Sequence, residues 1–432
     1  METKRERMLG LLCSVLFLVI FLWGIDPIEA QTIAKVIDKT NYKEHRDLLI
    51  PAQLRALESG EWTFPTGKLD FPFKHWDRFL VAGEKNAGKY NIDARGNLVD
   101  RSTGKFPTHN VYGFPFPKID PKDPKVAEKI MWNFKFQLYS LMGFNNWGKA
   151  QWVGKGGGEE RYVAGPNIYL FYQGRRPGEE MKNPKGFIYN DIYIPQDPMG
   201  IKGTILMTLE YMDERDTTVW SYIPAIRRAR LLSGASRSDP SYGSDGWYDR
   251  ALMWSGKNSS FKWKFLGERM VLASFTTTDK EIAQEAQDGT VTLKSPLVKF
   301  GYETKGWKGA TWASTTATWI PRSVWVVEGY PKDPYYNFGK EIFYVDKETY
   351  NIWQLEAFDK ALTYWKWTFD ISHYAEAPSG TKVVGLWDAS IVIDDKVRHG
   401  TVTRFRDAQV FISKSRLNSS QFTVSHMLSL SK

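Results

Sequence analysis

Beyond residue 150 the sequence is a succession of short β-type segments separated by turn residues. Within the segments, apolar residues alternate with polar ones or run together, and Gly, Pro, Asn and Asp follow at close spacing, as in antiparallel sheets. Strand and helix do not alternate in a βαβ pattern, which counts against a Rossmann or TIM-barrel architecture. Strands are predicted over residues 162–173, 204–212, 217–223, 263–265, 291–300, 322–329, 341–345, 352–358, 362–372, 385–394, 402–413 and 421–430.

The clearest helix is predicted over residues 123–143, where Pro124 suits the first turn after a capping Asp123. An apolar stripe recurs along this segment and must pack against other parts of the chain. If the sheet encloses a cavity, this helix could cover the mouth as a lid. The lid residues would be Ile130, Phe134 and Leu138. Helical character is also predicted over residues 31–60 and 279–287.

The first 30 residues have the layout of a secretory signal peptide. Basic residues within 4–7 precede an apolar run over 11–23, and Ala30 supplies a small residue at the expected cleavage point. The apolar run is shorter than the roughly 20 residues of a membrane-spanning helix, so cleavage is favoured over an uncleaved anchor. The sequence therefore predicts a periplasmic protein, with soluble or peripheral character.

Cysteine and metal chemistry find little support in the sequence. The single cysteine, Cys13, lies in the predicted signal peptide, so the mature chain would lack disulfides and thiol catalysis. The six histidines are scattered, and neither a His-Glu-x-x-His nor a Gly-x-Ser-x-Gly motif occurs. We therefore expect no metal, no cofactor and no enzymatic activity.

The composition leaves a second function class open. Aromatic residues make up 15% of the chain and include 18 Trp, which could form platforms for sugars. A carbohydrate-binding protein or a glycoside hydrolase with a carboxylate pair is therefore an alternative. The net charge of +9 favours anionic ligands or surfaces, but dispersed basic residues and the predicted secretion argue against nucleic acid.

Residues 216–249 combine a predicted strand with a cluster of arginines. The strand breaks at Pro224, and a cationic, loop-like segment and a polar Gly-Ser-Asp turn follow. The arginines could bind a phosphate or carboxylate head group, or they could be structural and pair with Asp239 or Asp245. The candidate ligand-binding residues are Trp220, Tyr222, Pro224, Arg227, Arg228, Arg230 and Trp247.

Three parts of the chain together resemble a known family. They are residues 113–120 with the pair 132–133, the segment from Trp220 through the Gly-Ser-Asp turn, and residues 322–329 with 344–349. The combination resembles LolA/LolB-like outer-membrane lipoprotein-sorting proteins. It is more closely similar to a proteobacterial periplasmic family of unknown function in the same superfamily.

The resemblance implies a mainly β fold with helices, an incomplete and strongly curved antiparallel β-barrel of the LolA/LolB type whose helices cover the open side. Residues 31–150 would be an N-terminal helical and extended segment packing on the barrel, and residues 151–432 would form the half-barrel.

The implied function is that of a carrier for a lipid or other hydrophobic molecule. Members of the family often occur beside RND-type transporters and an outer-membrane partner, which implies a shuttle between the two membranes. The chain lacks a convincing lipid-anchor motif and has Gly246-Trp247-Tyr248 where many members have Phe-Ser or Phe-Thr. The cargo is therefore not transferred from the family. A transporter adaptor that binds no ligand is the third possibility.

Overall fold

The main structural element is one large, strongly curved antiparallel sheet that does not close into a barrel, which confirms the predicted fold class. The computed structural model describes residues 33–232, 237–406, 408–410 and 417–430, so the predicted signal peptide lies outside the described residues. The large sheet comprises β5 (Gly143–Gly154), β6 (Glu159–Phe171), β7 (Phe187–Tyr193), β8 (Ile205–Tyr211), β9 (Thr218–Ile223), β10 (Arg228–Leu232), β11 (Phe261–Ile282), β12 (Gln284–Glu285), β13 (Val291–Leu293), β14 (Thr318–Pro331), β15 (Lys340–Asp346), β16 (Ile352–Phe358), β17 (Tyr364–Glu376), β18 (Lys382–Val383), β19 (Trp387–Asp394), β20 (His399–Phe405) and β21 (Ala408–Val410). The remaining strands form two small sheets, in which β1 (Val36–Ile37) pairs with β2 (Phe64–Pro65) and β3 (Tyr90–Ile92) pairs with β4 (Leu98–Asp100).

The order of the main strands is β10, β9, β8, β7, β6, β5, β20, β19, β17, β16, β15, β14 and β11. These neighbours are antiparallel, and in addition the far end of β11 pairs in parallel with β17. Among the described residues β10 is paired only with β9, so it forms an edge of the sheet.

Four α-helices are described: α1 (Pro51–Glu58), α2 (Asp77–Glu84), α3 (Val126–Tyr139) and α4 (Val424–Leu430). The predicted helix over 123–143 is confirmed by α3, whose residues are buried on nearly every side. We call the sheet face that shares a core cluster with α3 the inner face. On the outer face of β6–β9, α4 packs through Met427 against a separate apolar cluster. No helix in the described ranges is both long enough and apolar enough to cross a membrane.

The N-terminal part of the described chain packs on the sheet through aromatic side chains. The Trp62 ring lies 5.4 Å from that of Trp367 on β17, and the Phe64 ring lies 4.2 Å from that of Trp319 on β14. Offset and edge-on contacts of this kind add to the burial of large apolar surfaces. Much of the high aromatic content therefore stabilises the core.

The cationic segment after Pro224 was predicted to be a loop, and this is wrong. Pro224–Ile226 form a short 3-10 turn, Arg227 adopts a φ of 47°, and β10 then returns along β9 with Arg228 opposite Ile223. Arginines are compatible with an edge strand because their side chains reach solvent, and charges also discourage edge-to-edge association. The result is a β9–β10 hairpin, which comprises residues 218–232.

Two other predictions of element type are wrong. Residues 279–287 were predicted to be helical, but they continue β11 and form β12, where pairing with β17 and β13 outweighs the local sequence pattern. Residues 421–430 were predicted to be a strand, but they contain α4. Short apolar segments are ambiguous between the two element types. Strands β5 and β7 were missed altogether.

Candidate functional site

A cavity of about 270 Å³ lies between the inner face of the sheet and residues 237–255, which we call the cover segment. Strands β5–β9, β19 and β20 form its wall, and the cover segment forms its roof. Apolar and aromatic side chains make up most of the lining. They include Ala150, Trp152, Val163, Leu206, Val219, Trp247, Leu252, Trp387, Val392 and Phe405.

The strand register places a row of side chains across the wall. Tyr169 on β6 lies opposite Asp191 on β7, Asp191 lies opposite Thr208 on β8, and Thr208 lies opposite Val219 on β9. Directly opposed residues project from the same face of a sheet, so all four line the cavity. The alternation along β7 also brings Tyr193 to the cavity.

Asp191 is the only carboxylate among the described residues that line the cavity. It is 9% exposed. Burial raises the pKa of this carboxyl to about 7, while its hydrogen bond with Thr208 and the positive charge of Arg237 act in the opposite direction. Asp191 is therefore a polar group in an otherwise largely apolar wall, and its charge changes near neutral pH.

The first anchor of the cover segment is the Gly-Ser-Asp turn. His399 Nδ1 on β20 lies 2.7 Å from the Asp245 carboxylate, which also accepts a 2.7 Å hydrogen bond from Thr401. His399 Nε2 lies 3.3 Å from Glu160. The hydrogen bond that His399 donates to Asp245 raises the pKa of His399 above its usual value, and Glu160 adds to this effect. The turn is therefore tied to the sheet by charge.

The same turn is held through its backbone. Trp152 Nε1 donates a 2.9 Å hydrogen bond to the carbonyl of Gly243, and Arg161 Nη2 donates one of 2.6 Å to the same oxygen. Gly243 has a φ of 69°, which glycine adopts without the strain that a Cβ would cause. Glycine is therefore favoured at this position of the turn.

A second anchor is the buried ion pair between Arg250 of the cover segment and Asp370 of β17. Arg250 Nη2 donates to Asp370 at 2.6 Å and to Ser390 Oγ at 2.9 Å. Alternation along β17 places Asp370 on the opposite face from Phe369 and Trp367. Arg250 therefore contacts the polar face of this strand.

The third anchor is Asp249, which pairs with Arg237 within the cover segment, and Arg237 also donates to the carbonyl of Ser255 at 3.0 Å. Asp249 also accepts a 3.0 Å hydrogen bond from the Tyr336 hydroxyl. Both arginines that line the cavity, Arg237 and Arg250, therefore have carboxylate partners.

Three polar atoms of residues that line the cavity lack hydrogen-bond partners within the part of the chain that the structure describes. They are Trp247 Nε1, the Tyr242 hydroxyl and Asn167 Oδ1. Buried polar groups are usually hydrogen-bonded, because leaving them unpaired costs free energy. A ligand with a polar group could supply such a partner.

The predicted ligand-binding residues do not lie together at one site. Trp247 lines the cavity under the cover segment. Trp220 faces the other side of the sheet and lines a different cavity of about 400 Å³, beneath the segment that leads into α4. Tyr222 is buried in the adjacent outer-face cluster with Met427. The aromatic pair on β9 therefore does not face the cavity under the cover segment.

The remaining predicted residues lie on the β9–β10 hairpin. Pro224 is half-buried in its turn, and Arg227, Arg228 and Arg230 are exposed. The acids considered as their counter-charges have other contacts. Asp245 pairs with His399, as described above, and Asp239 accepts a 3.1 Å hydrogen bond from Asn337.

The predicted lid residues lie in the core. Ile130, Phe134 and Leu138 are at most 3% exposed. Phe134 and Leu138 border a space of about 10 Å³, which is about the room needed for one water molecule.

The most informative residue that the sequence interpretation missed is Asp191. The sequence contains a signal for it, because aspartate is disfavoured in strands and here stands in the aromatic run Phe187–Tyr193. Among the described residues, no group of three or more His, Cys, Asp or Glu side chains has an arrangement that could hold a metal ion.

Solved structures similar to this chain have low sequence identity. An outer-membrane lipoprotein-sorting protein domain from Vibrio parahaemolyticus is 13% identical, with a TM-score of 0.47 over 69% of this chain and 97% of that one. A DUF1329 family protein from Desulfovibrio piger is 13% identical, with a TM-score of 0.45 over 69% and 98%. A LolA superfamily protein from Nitrosomonas europaea is 10% identical, with a TM-score of 0.40 over 69% and 98%. Likeness at this level gives no information on cargo.

No curated protein matches the chain. The family described as "Protein of unknown function (DUF1329)" matches residues 36–427. This range includes the cover segment, all of its anchors and the cavity wall, and the match confirms the resemblance found in the sequence. The chain therefore belongs to the DUF1329 family.

Proposed function

We propose that the protein binds a lipid or another hydrophobic molecule in the cavity beneath the cover segment. The supporting observation is the cavity itself, whose lining is mostly apolar and aromatic, with hydroxyl groups, an amide, one carboxylate and two ion-paired arginines among them. Its volume of about 270 Å³ is close to the lower end of ligand sites, which begin at about 300 Å³. This size suits one acyl chain of modest length or a compact ring system.

Apolar burial would drive this binding, at roughly 25 cal/mol per Å² before the costs of association. The cover segment supplies part of the lining, including Trp247 and Leu252, and is held over the wall by its anchors. Affinity for cargo should therefore depend on those anchors as well as on the lining.

We further propose that the β9–β10 hairpin contacts an anionic membrane surface. Ile223, Ile226 and Leu231 are exposed by 37%, 41% and 59%. They stand among the exposed arginines of the same hairpin. Apolar side chains beside basic ones suit the boundary between lipid head groups and acyl chains.

In this proposal the protein works in the periplasm after removal of residues 1–30. It shuttles cargo between an inner-membrane RND-type transporter and an outer-membrane protein. The support for the compartment is the predicted signal peptide, and the support for the shuttle is the family resemblance. Cross-linking in the native host, followed by identification of the captured membrane proteins, tests the route.

The carbohydrate alternative has less support from the site. Glycoside hydrolases generally use two carboxylates across the scissile bond. Among the described residues that line the cavity, the acid is Asp191, and the nearby acids Asp245, Asp249 and Asp370 are engaged by cationic partners. A transporter adaptor would contain no ligand at all.

The experiment that tests cargo binding is purification from the native periplasm, followed by native mass spectrometry and solvent extraction. The proposal predicts a co-purifying hydrophobic molecule that is lost on extraction. Protein that is consistently empty, and that does not bind a fluorescent apolar probe, would overturn it.

A further inference from the structure

We propose that Asp191 determines the specificity of the cavity, which selects cargo with an uncharged, hydrogen-bonding polar end, such as an alcohol, over cargo with a carboxylate or phosphate. This inference rests on the proposed function, because it names the class of molecule that the cavity would bind. It differs from the expectation drawn from the arginine cluster, which favoured an anionic head group.

The position of Asp191 is the first support. The residue stands in the cavity wall, in the cross-strand row between Tyr169 and Thr208. A chain that fills the apolar part of the cavity would bring its polar end near this row or near the unpartnered Trp247 Nε1 and Tyr242 hydroxyl. An alcohol can both donate to a carboxylate and accept from such groups.

The second support is that the arginines lining the cavity are already ion-paired. An anionic head group is bound most strongly by arginines that are free to form paired hydrogen bonds with it. Arg250 already donates to Asp370 at 2.6 Å, and Arg237 is engaged by Asp249. An anion in the cavity would therefore meet Asp191 without a free arginine in the described lining to offset the repulsion.

The charge of Asp191 depends on its surroundings. Burial raises its pKa to about 7, so the carboxyl is substantially neutral below that pH and ionised above it. Burial also raises the pKa of nearby tyrosines well above their usual range, which keeps them protonated. The titratable and charged groups that act on Asp191 or feel its charge are Tyr169, Tyr189, Glu210, Arg237 and Tyr242. Discrimination against an anion should thus be strongest above neutral pH.

The test uses the full protein and displacement of the fluorescent probe N-phenyl-1-naphthylamine. Decanol and decanoate have the same chain length but differ in the charge of the polar end. At about pH 8, decanol should displace the probe at a concentration at least about tenfold lower than decanoate, a difference of about 1.4 kcal/mol. Lowering the pH to about 6 should strengthen decanoate binding several-fold more than it strengthens decanol binding. Decanoate itself stays ionised at both values, so the difference reports on the protein.

The variant Asp191→Asn removes the charge at nearly constant volume. It should bind decanoate at least about tenfold more tightly than the wild type does at about pH 8. Its affinity for decanol should stay within about threefold of the wild-type affinity. The control Asp279→Asn, at an exposed position of β11, should behave as the wild type. If circular dichroism shows that Asp191→Asn does not fold, the pH series on the wild type decides the question.

The outcomes separate the two proposals. Equal displacement by decanol and decanoate at both pH values would overturn the role of Asp191 and leave cargo binding intact. The absence of any probe binding by the folded wild type would overturn the proposed function itself.

Discussion

The imidazole Nδ1 of His399 lies 2.7 Å from the carboxylate of Asp245, so a turn of the cover segment is tied to β20 through a titratable side chain. Asp245 raises the pKa of His399 in the folded protein. A raised pKa means that the stabilisation is fully present below the unfolded value of about 6.5 and is lost as the pH rises through the folded value.

We therefore expect the cover segment to loosen as the pH rises through the raised pKa of His399. Hydrogen exchange of the amides of residues 243–246, after correction for the intrinsic rate, should show less protection at about pH 9 than at about pH 6. In His399→Gln this pH dependence should disappear, whereas the control His426→Gln in α4 should retain it. Protection that is the same at both pH values in the wild type would contradict the prediction.

The pair Arg250–Asp370 should matter more for stability, because both side chains are buried. Arg250→Leu leaves Asp370 as an unpaired buried carboxylate and should lower the free energy of unfolding by roughly 3–5 kcal/mol. The double variant Arg250→Leu/Asp370→Leu removes both charges and should be more stable than the single variant. Urea denaturation measures the free energy of unfolding of each variant. If the loss in the double variant equals the sum of the losses in Arg250→Leu and Asp370→Leu, the ion pair contributes no coupling energy.

The exposed arginines of the β9–β10 hairpin should act on membrane contact and not on folding. Arg227→Ala or Arg228→Ala should weaken binding to vesicles of phosphatidylcholine and phosphatidylglycerol by about fivefold, since each basic residue near an anionic surface contributes about 1 kcal/mol. Stability should change by less than about 0.5 kcal/mol, because both side chains are exposed.

Arg101→Ala is the matched control, because this arginine is also exposed but lies outside the hairpin. It should leave vesicle binding unchanged, as measured by co-sedimentation. A hairpin variant that fails to fold would instead assign these arginines a structural role, and vesicle binding equal to that of the wild type would remove the membrane proposal.

Local sequence patterns predicted much of the sheet and helix α3. The apolar stripe within residues 123–143 has the period of a helix, and the alternation around Trp367 and Phe369 has the period of a strand. Such signals lie within one segment, so they can be interpreted without knowledge of the partner. The hairpin at Arg228 was missed because charged side chains are also common in loops, and only the pairing with β9 makes the segment a strand.

The site was harder to predict because its contacts join distant parts of the chain. Arg250 and Asp370 are separated by 120 positions, and Asp245 and His399 by 154. The sequence marked the Gly-Ser-Asp turn as distinctive, but its partner on β20 could not be deduced from spacing. Asp191 had a local signal, an acid within an aromatic run, but the face to which it points depends on the register of β7.

Binding of N-phenyl-1-naphthylamine to a cavity-blocked variant shows whether the cavity under the cover segment is the ligand site. Val219 lines the cavity, and Val219→Trp should fill part of it, whereas the matched control Val397→Trp changes a residue that is 69% exposed. Overpacking costs about 1–3 kcal/mol, so circular dichroism must first show that both variants are folded. We expect Val219→Trp to bind the probe at least about tenfold more weakly than the wild type, and Val397→Trp to bind it as the wild type does. A folded Val219→Trp variant that binds as tightly as the wild type would contradict this prediction.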